Sequence, residues 1–346
     1  MTLEASATPL AQAYDLALVD LDGVAYRGPV VIPHAPESLT AARAAGMALA
    51  FITNNASREP GTVADQLVTL GIAATPDEVL TSAQAAAALL AAQLPAGAPV
   101  LVVGGSGLVT AVREAGFRLV ASADDGPAAV VQGFSPDLSW RELAEAAYAV
   151  QRGARHIVSN LDLTLPNERG LAPGNGSLVG AVVNATGVTP LSAGKPEPSM
   201  YRLAVERRGA RRPLVVGDRL DTDLGGARAA GYPGLHVLTG VSDARDAVLA
   251  GPGERPTYLA VDLRGLLEAH PAPAAGADGW WTCGGRAARA VDGGLDLDRA
   301  GDVDIDLVRA ACGAAWAAAD AGHPVRPESV PVLTPVVPAA PPVHGH

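Results

Sequence analysis

Short apolar runs alternate with helix-compatible stretches from Leu16 onward, and no other feature restricts the possible folds as much. Leu16–Leu21 reads as a buried strand ending in carboxylates, and Met47–Thr53 as a second that ends in Asn54 and Asn55. Pro36–Ala45 suits a helix with Gly46 as its stop, and Gly61–Leu70 and Ser82–Gln93 suit two more. Strand followed by helix, repeated, predicts an α/β fold on a doubly wound parallel sheet with helices on both faces.

The pattern restarts near Pro99. Val100–Val103, Ala128–Gly133 and His156–Ser159 read as strands, and Leu108–Ala115 and Trp140–Gln151 as helices, with Asn175 capping a further helix to Ala185. This stretch separates two groups of motifs and is therefore expected to be an inserted α/β cap domain over 83–190. The core is expected over 1–82 and again over 191–270, with helices Ser199–Arg208 and Asp223–Ala230 and strands Leu214–Val216 and Leu235–Val237. A linker over 271–279 contains PAPAAG; a small α+β unit over 280–323 follows, with a helix near Leu307–Ala319. The Pro/Val/Ala-rich tail 324–346, ending in His344 and His346, is expected to be disordered.

Composition removes whole classes of function. The net charge of −11, with no stripe of Lys or Arg, repels a phosphate backbone, and aromatic residues are too few for a base-stacking platform. Nucleic acid is excluded as a partner. A small phosphate ligand is not, because a bound dication reverses the local field. Cys283 and Cys312 lie far apart, fitting a reducing cytosol and no disulfide framework. The N-terminus lacks a basic start and a long apolar stretch, and no run reaches membrane-spanning length, so a cytoplasmic protein without membrane attachment is expected.

Four clusters carry chemistry. Asp20-Leu21-Asp22-Gly23 follows a buried strand, where two oxygen ligands suit a hard dication and one carboxylate can attack phosphorus. Its bland alternative is an Asp-Gly turn. Thr53-Asn54-Asn55 can hold phosphate oxygens, or simply cap a helix. Gly194-Lys195-Pro196-Glu197-Pro198 contains the only lysine among 25 basic residues, a compact charge that an Arg fork cannot reproduce in a tight site. Gly217-Asp218-Arg219-Leu220-Asp221-Thr222-Asp223 places Asp218 at another strand end and Asp223 early in the next helix, while Asp221 suits a structural cap. Carboxylates converging from several strand ends repel one another strongly, so a cation is implied. Three other candidates read more simply: Gly104-Gly105-Ser106-Gly107 as a loop turn, Gly174-Asn175-Gly176 as no dinucleotide fingerprint, and Trp280-Trp281 as packing.

DLDGVAY, FITNNAS, GKPEP and GDRLDTD resemble, in order and spacing, the four motifs of the haloacid-dehalogenase superfamily's class IIA phosphatases. TSAQAA, VVGGSGL, SNLDLTLPNERGLAPGNGSL and NATG resemble that family's cap, so the likeness runs from about Tyr14 to Glu268. It implies a Rossmann-like core and magnesium as cofactor. Asp20 would be the nucleophile, and Asp22 the acid that protonates the leaving oxygen and then activates water. Asp20, the main-chain carbonyl of Asp22, and Asp218 would hold the metal; Thr53, Asn54 and Lys195 would bind phosphoryl oxygens, with Asp223 supporting Asp218 and Lys195.

The substrate class implied is a small phosphorylated metabolite. A short extra unit after the phosphatase is similar to the layout of bacterial enzymes acting on glycerol 3-phosphate, the leading substrate, ahead of 2-phosphoglycolate, pyridoxal phosphate and nucleotides. In some of them that unit resembles part of an acetyltransferase fold, but here it is too short for an acetyl-CoA site. A homodimer through the cap is common in the family. A non-hydrolytic phospho-ligand sensor and a phosphotransferase are the rival readings.

Overall fold

The computed structural model describes residues 2–167, 169–298 and 301–336. Its core is a six-stranded sheet in the order Tyr258–Ala260, Gly234–Val237, Pro213–Gly217, Leu16–Asp20, Ala48–Thr53, Val79–Thr81, parallel throughout. The central strand Leu16–Asp20 pairs with Pro213–Gly217 on one side and Ala48–Thr53 on the other, and every residue of it is buried. The α/β expectation holds.

Strand periodicity divides the core into two layers. Ala17 and Val19 face one way, onto Leu39, Val63, Leu67 and Leu263. Leu16 and Leu18 face the other, onto Ala83, Ala86, Leu90, Met200 and Tyr201. Truncating Leu16 or Leu18 to Ala would cost about 2–5 kcal/mol, since both side chains are fully buried.

From the first strand the chain steps outward through Ala48–Thr53 to Val79–Thr81, then returns on the opposite side through Pro213–Gly217 to Tyr258–Ala260. That reversal is a topological switch point. In open α/β sheets the crevice beyond the strands' C-terminal ends at such a point is where ligands bind. Asp20, Thr53 and Asp218 all stand there.

The cap is a second parallel sheet, ordered Leu191–Ser192, Arg155–Val158, Ala129–Gln132, Pro99–Val103, Arg118–Val120. Helix Ser82–Ala91 joins it to the core, opened by Thr81, whose hydroxyl accepts from Gln84 N–H while Gln84 Oε1 accepts from Thr81 N–H. Its alanines are small enough to let Leu16 and Leu18 of the core and Val100, Val131 and Ile157 of the cap share one apolar cluster. A hairpin, Thr164–Asn167 with Gly170–Pro173, projects from the cap.

The last unit departs from expectation in two places. The expected linker contributes an edge strand, Ala274–Ala275, to an antiparallel sheet with Trp280–Cys283, Arg286–Val291 and Gly294–Leu297. The expected disordered tail is packed over its first part: Val325, Val330 and Leu333 are buried, and Val336 N–H donates to Val303 O. His344 and His346 lie outside the described residues.

Helix Ile305–Asp320 fills the space between this sheet and the core, and Leu307 through Trp316 are buried on all sides. Such burial needs apolar neighbours on every face. Trp280's neighbour Trp281 packs there too, as expected for that pair. Among the described residues no helix is long and apolar enough to cross a membrane.

Candidate active site

Lys195, arriving from the second half of the chain, sits between two carboxylates: its Nζ is 2.5 Å from Asp20 Oδ1 and 2.6 Å from Asp223 Oδ1. Burial works against the ammonium, but Asp20 and Asp223 overcome it and hold its pKa well above the ordinary lysine value.

Asp218 lies beside them, fully buried at the end of strand Pro213–Gly217. The loop after strand Gly234–Val237 clasps it. Val241 N–H donates to Asp218 Oδ2 at 2.7 Å, Ser242 N–H donates to Asp218 O at 3.1 Å, and Thr239 Oγ1 donates to Gly23 O at 2.6 Å. The clasp is close enough that side chains are excluded. A Cβ on Gly240 would lie 1.8 Å from Asp218 Oδ2, and one on Gly23, whose φ is +87°, would lie 2.5 Å from it.

Asp223 is held by a local distortion rather than the regular helix expected from that residue. The chain makes one wide turn over Leu220–Leu224, with Leu224 N–H reaching back to Arg219 O, before helix Gly225–Ala230 begins. Asp223 Oδ2 accepts from Arg219 N–H at 3.2 Å. Asp221 turns outward into a fork with Arg219.

The electrostatics call for a cation. Asp20, Asp218 and Asp223 each bring a ligand oxygen to within 4.8 Å of the others. Burial, then Asp20 and Asp223, push the Asp218 carboxyl up to about 8, and burial and Asp20 push Asp223 up to about 6. Among the described residues Asp218 Oδ1 is buried with no hydrogen-bond partner. An orphaned oxygen among hard carboxylate donors fits a dication such as magnesium, which would satisfy it and reverse the repulsion.

The remaining expected residues separate by what they have left to give. Asp22 is exposed two residues beyond Asp20. Thr53 Oγ1 accepts from Asn55 N–H at 3.1 Å, leaving its own proton to donate. Lys195 has used two of its three protons. Asn54 differs: its Oδ1 accepts from Lys195 N–H at 2.8 Å, and its Nδ2 donates to Lys195 O and to both Asp162 carboxylate oxygens, each at 3.2 Å.

Sequence reasoning missed several neighbours. Asp162 and Asn160 reach in from the cap, and Tyr201 O–H donates to Asp223 O at 3.4 Å. Ser159-Asn160-Leu161-Asp162 follows an apolar strand much as Thr53-Asn54-Asn55 does, and that parallel was the available signal. Gly240, in LTGVS, carried none.

A capped parallel sheet with a cation-ready carboxylate pocket and a buried lysine at its switch point defines a metal-dependent hydrolase of phosphate esters. The family described as haloacid dehalogenase-like hydrolase matches residues 17–118, and a second HAD-hydrolase-like family matches 192–266. The chain belongs to the haloacid dehalogenase-like hydrolases, and within them to the phosphatases of phosphate monoesters. It is 47% identical over 326 residues to a D-glycerol 3-phosphate phosphatase of Mycobacterium tuberculosis, covering 92% of this chain and 90% of that protein. It is 39% identical to an acid sugar phosphatase of Staphylococcus aureus, over 72% of this chain and 95% of the relative. The crystal structure of the M. tuberculosis glycerol phosphate phosphatase in complex with magnesium is similar at a TM-score of 0.83 and 46% identity, covering 92% of this chain and 94% of that one.

Proposed function

We propose that this phosphatase acts through an aspartyl-phosphate on Asp20, with magnesium as its cation and glycerol 3-phosphate as its leading substrate. The observation that carries the reading is Lys195, buried with its ammonium between Asp20 and Asp223 and one proton to spare.

Lys195 holds Asp20 aligned through its ammonium, and its remaining proton meets a phosphoryl oxygen. Thr53 donates to another. As the Asp20 oxygen bonds to phosphorus, the ester P–O bond breaks, and Asp22 gives its proton to the leaving alkoxide. Asp22, now a carboxylate, takes a proton from water. That water attacks phosphorus, the bond to Asp20 breaks, and phosphate leaves. Asp20, Asp218 and the Asp22 main-chain carbonyl would hold magnesium, which would supply charge neutralisation at the phosphoryl group. Asp223 holds Lys195 from behind.

Both relatives compared by name handle phosphorylated polyols or sugars, which favours glycerol 3-phosphate over 2-phosphoglycolate, pyridoxal phosphate or a nucleotide. The net charge of −11 keeps nucleic acid out of the partner list. Leu163, Leu165 and Leu171, at or near the projecting cap hairpin, are 68%, 37% and 76% exposed, which supports a homodimer through the cap. Cys283 and Cys312 are free and buried, in keeping with a cytoplasmic location.

The test is magnesium-dependent phosphate release from glycerol 3-phosphate, phosphoglycolate, pyridoxal phosphate and a nucleotide, with Asp20→Asn as control. Dominance of glycerol 3-phosphate, abolished in Asp20→Asn, is expected. Binding without turnover points to a sensor, and transfer to an added alcohol without hydrolysis to a phosphotransferase.

A further inference from the structure

Asn54 has no unused proton on its side-chain amide. Its amide offers two N–H donors, and the two acceptors facing them are Lys195 O and the Asp162 carboxylate, each at 3.2 Å. Its Oδ1 accepts from Lys195 N–H at 2.8 Å, so the side chain grips the lysine's backbone from both sides. Its own carbonyl is taken as well, by Ser82 Oγ at 2.5 Å and by Asn160 Nδ2 at 2.7 Å. A phosphoryl oxygen therefore has to displace one of these partners before it can receive a hydrogen bond from the Asn54 side chain.

Three parts of the molecule meet at this one residue. Ser82 opens the helix that leads from core to cap, and is fully buried. Asn160 and Asp162 follow the cap strand Arg155–Val158, and Asn160 is anchored in turn by Asn175, whose Nδ2 donates to Asn160 O at 2.7 Å. Lys195 lies where the chain re-enters the core, and a Cβ on the preceding Gly194 would lie 2.4 Å from Ser159 O and 2.7 Å from Asn54 Oδ1. That crossing is too tight for any side chain. Among the described residues, the only hydrogen bonds the Asp162 carboxylate makes are to Asn54.

We propose that Asn54 and Asp162 form a positioning pair, in which the cap's carboxylate aligns the Asn54 amide and the amide in turn sets the lysine that touches the reacting phosphoryl group. The Asn54 side chain is thus not a ligand of the phosphate. Loss of Asp162 lets the amide turn, and Lys195 then loses its two-sided backbone clamp. The proposal rests on the phosphatase reading only through Lys195, since the pairing itself is a property of the metal-free fold.

The experiment is a double-mutant cycle on the full chain with two readouts. One is kcat and KM for p-nitrophenyl phosphate at saturating magnesium. The other is thermal stability of the metal-free protein, which tests the pairing even if no ester is turned over. Asp162→Ala is expected to lower kcat roughly 10-fold or more with little change in KM, as loss of a supporting partner does. Asn54→Ala is expected to do the same, and the double variant to be no worse than Asn54→Ala alone. Asp162→Asn retains an acceptor oxygen and is expected to keep most of the activity. Asn54→Asp brings a second carboxylate against Asp162 and is expected to be the most damaged; adding Asp162→Asn, which restores a donor opposite an acceptor, is expected to recover kcat roughly 10-fold.

Additive effects of Asp162→Ala and Asn54→Ala in both readouts overturn the proposal. So does an Asp162→Ala enzyme of wild-type kcat, or an Asn54→Asp enzyme that Asp162→Asn fails to rescue. A wild-type enzyme that releases no phosphate from any ester while the stability cycle still couples the two residues refutes the phosphatase reading and leaves the pair intact.

Discussion

Lys195 and Asp20 meet at 2.5 Å although 175 residues, including the entire cap, separate them in the chain. The contact joins the two halves of the core at the one point where charge has to be exact, and its geometry suits an ammonium on a thin stem. Lys195→Arg preserves charge but puts a wide planar group where two carboxylates already converge. The expected result is a loss of kcat by roughly 100-fold or more with a native circular dichroism spectrum. Near-wild-type turnover of the variant would contradict the assignment.

Magnesium binding is expected to be linked to protons. In the metal-free protein Asp218 keeps its proton up to about pH 8, because burial and the neighbouring carboxylates raise its pKa. A cation has to expel that proton, so affinity should rise from pH 6 to 8, with proton release on binding. Calorimetry in buffers of different ionisation enthalpy reads this directly, and a buffer-independent heat at pH 7 would refute it.

Gly240 should matter as much as the acids it touches. Gly240→Ala forces a methyl into the space of Asp218 Oδ2, so either the carboxylate or the 238–242 loop has to move. Half-saturation by magnesium is expected to rise about 10-fold or more. The same titration on Gly251→Ala, where an added Cβ meets nothing, serves as the reference.

Two buried histidines make the fold acid-sensitive. Burial pushes His156 in the cap and His236 in the core down to about 4. Between about pH 6.5 and 4 the unfolded chain takes up protons that the folded chain refuses, so their share of stability is complete above about 6.5 and lost toward 4. The loss is on the order of 3 kcal/mol for each. Urea unfolding of the magnesium-saturated protein at pH 7 and pH 5 should show it, and the double variant His156→Gln/His236→Gln should flatten the difference. Equal stability at both pH values would rule it out.

The terminal helix should carry a large part of the core's stability. Trp316 is buried, donates from Nε1 to Ala247 O at 3.0 Å, and lies under the Arg255 guanidinium 5.3 Å from its ring. Trp316→Ala is expected to cost about 3–5 kcal/mol in urea unfolding. Activity should fall with it, since Leu220 and Leu224, on the turn bearing Asp223, belong to the same apolar cluster. A variant of unchanged stability would show that the helix merely rests on the core.

Much of this was legible beforehand where local pattern and chemistry coincide. The strand expected over Leu16–Leu21 forms over Leu16–Asp20, and the chain's single lysine does lie against Asp20. Legibility fails where the deciding contact is remote. Nothing near Ala274–Ala275 announces a strand, because only Trp281 and Thr282 across the sheet make it one. Val325, Val330 and Leu333 look like solvated tail in a Pro-rich stretch, yet they close the cluster around the terminal helix. The engagement of Asn54 depends on Asp162, 108 residues away, and no spacing rule connects them.

The burial of Leu307–Trp316 on every face also sets what the core can do without its extension. The helix's inner side covers Ala244, Ala247, Val248 and Leu259, all on segments that the core would otherwise present to water. A chain ending before this helix would turn those apolar side chains to water as one contiguous patch, a surface prone to association. In this chain the appended unit is thus a structural part of the core rather than an accessory that could be shed.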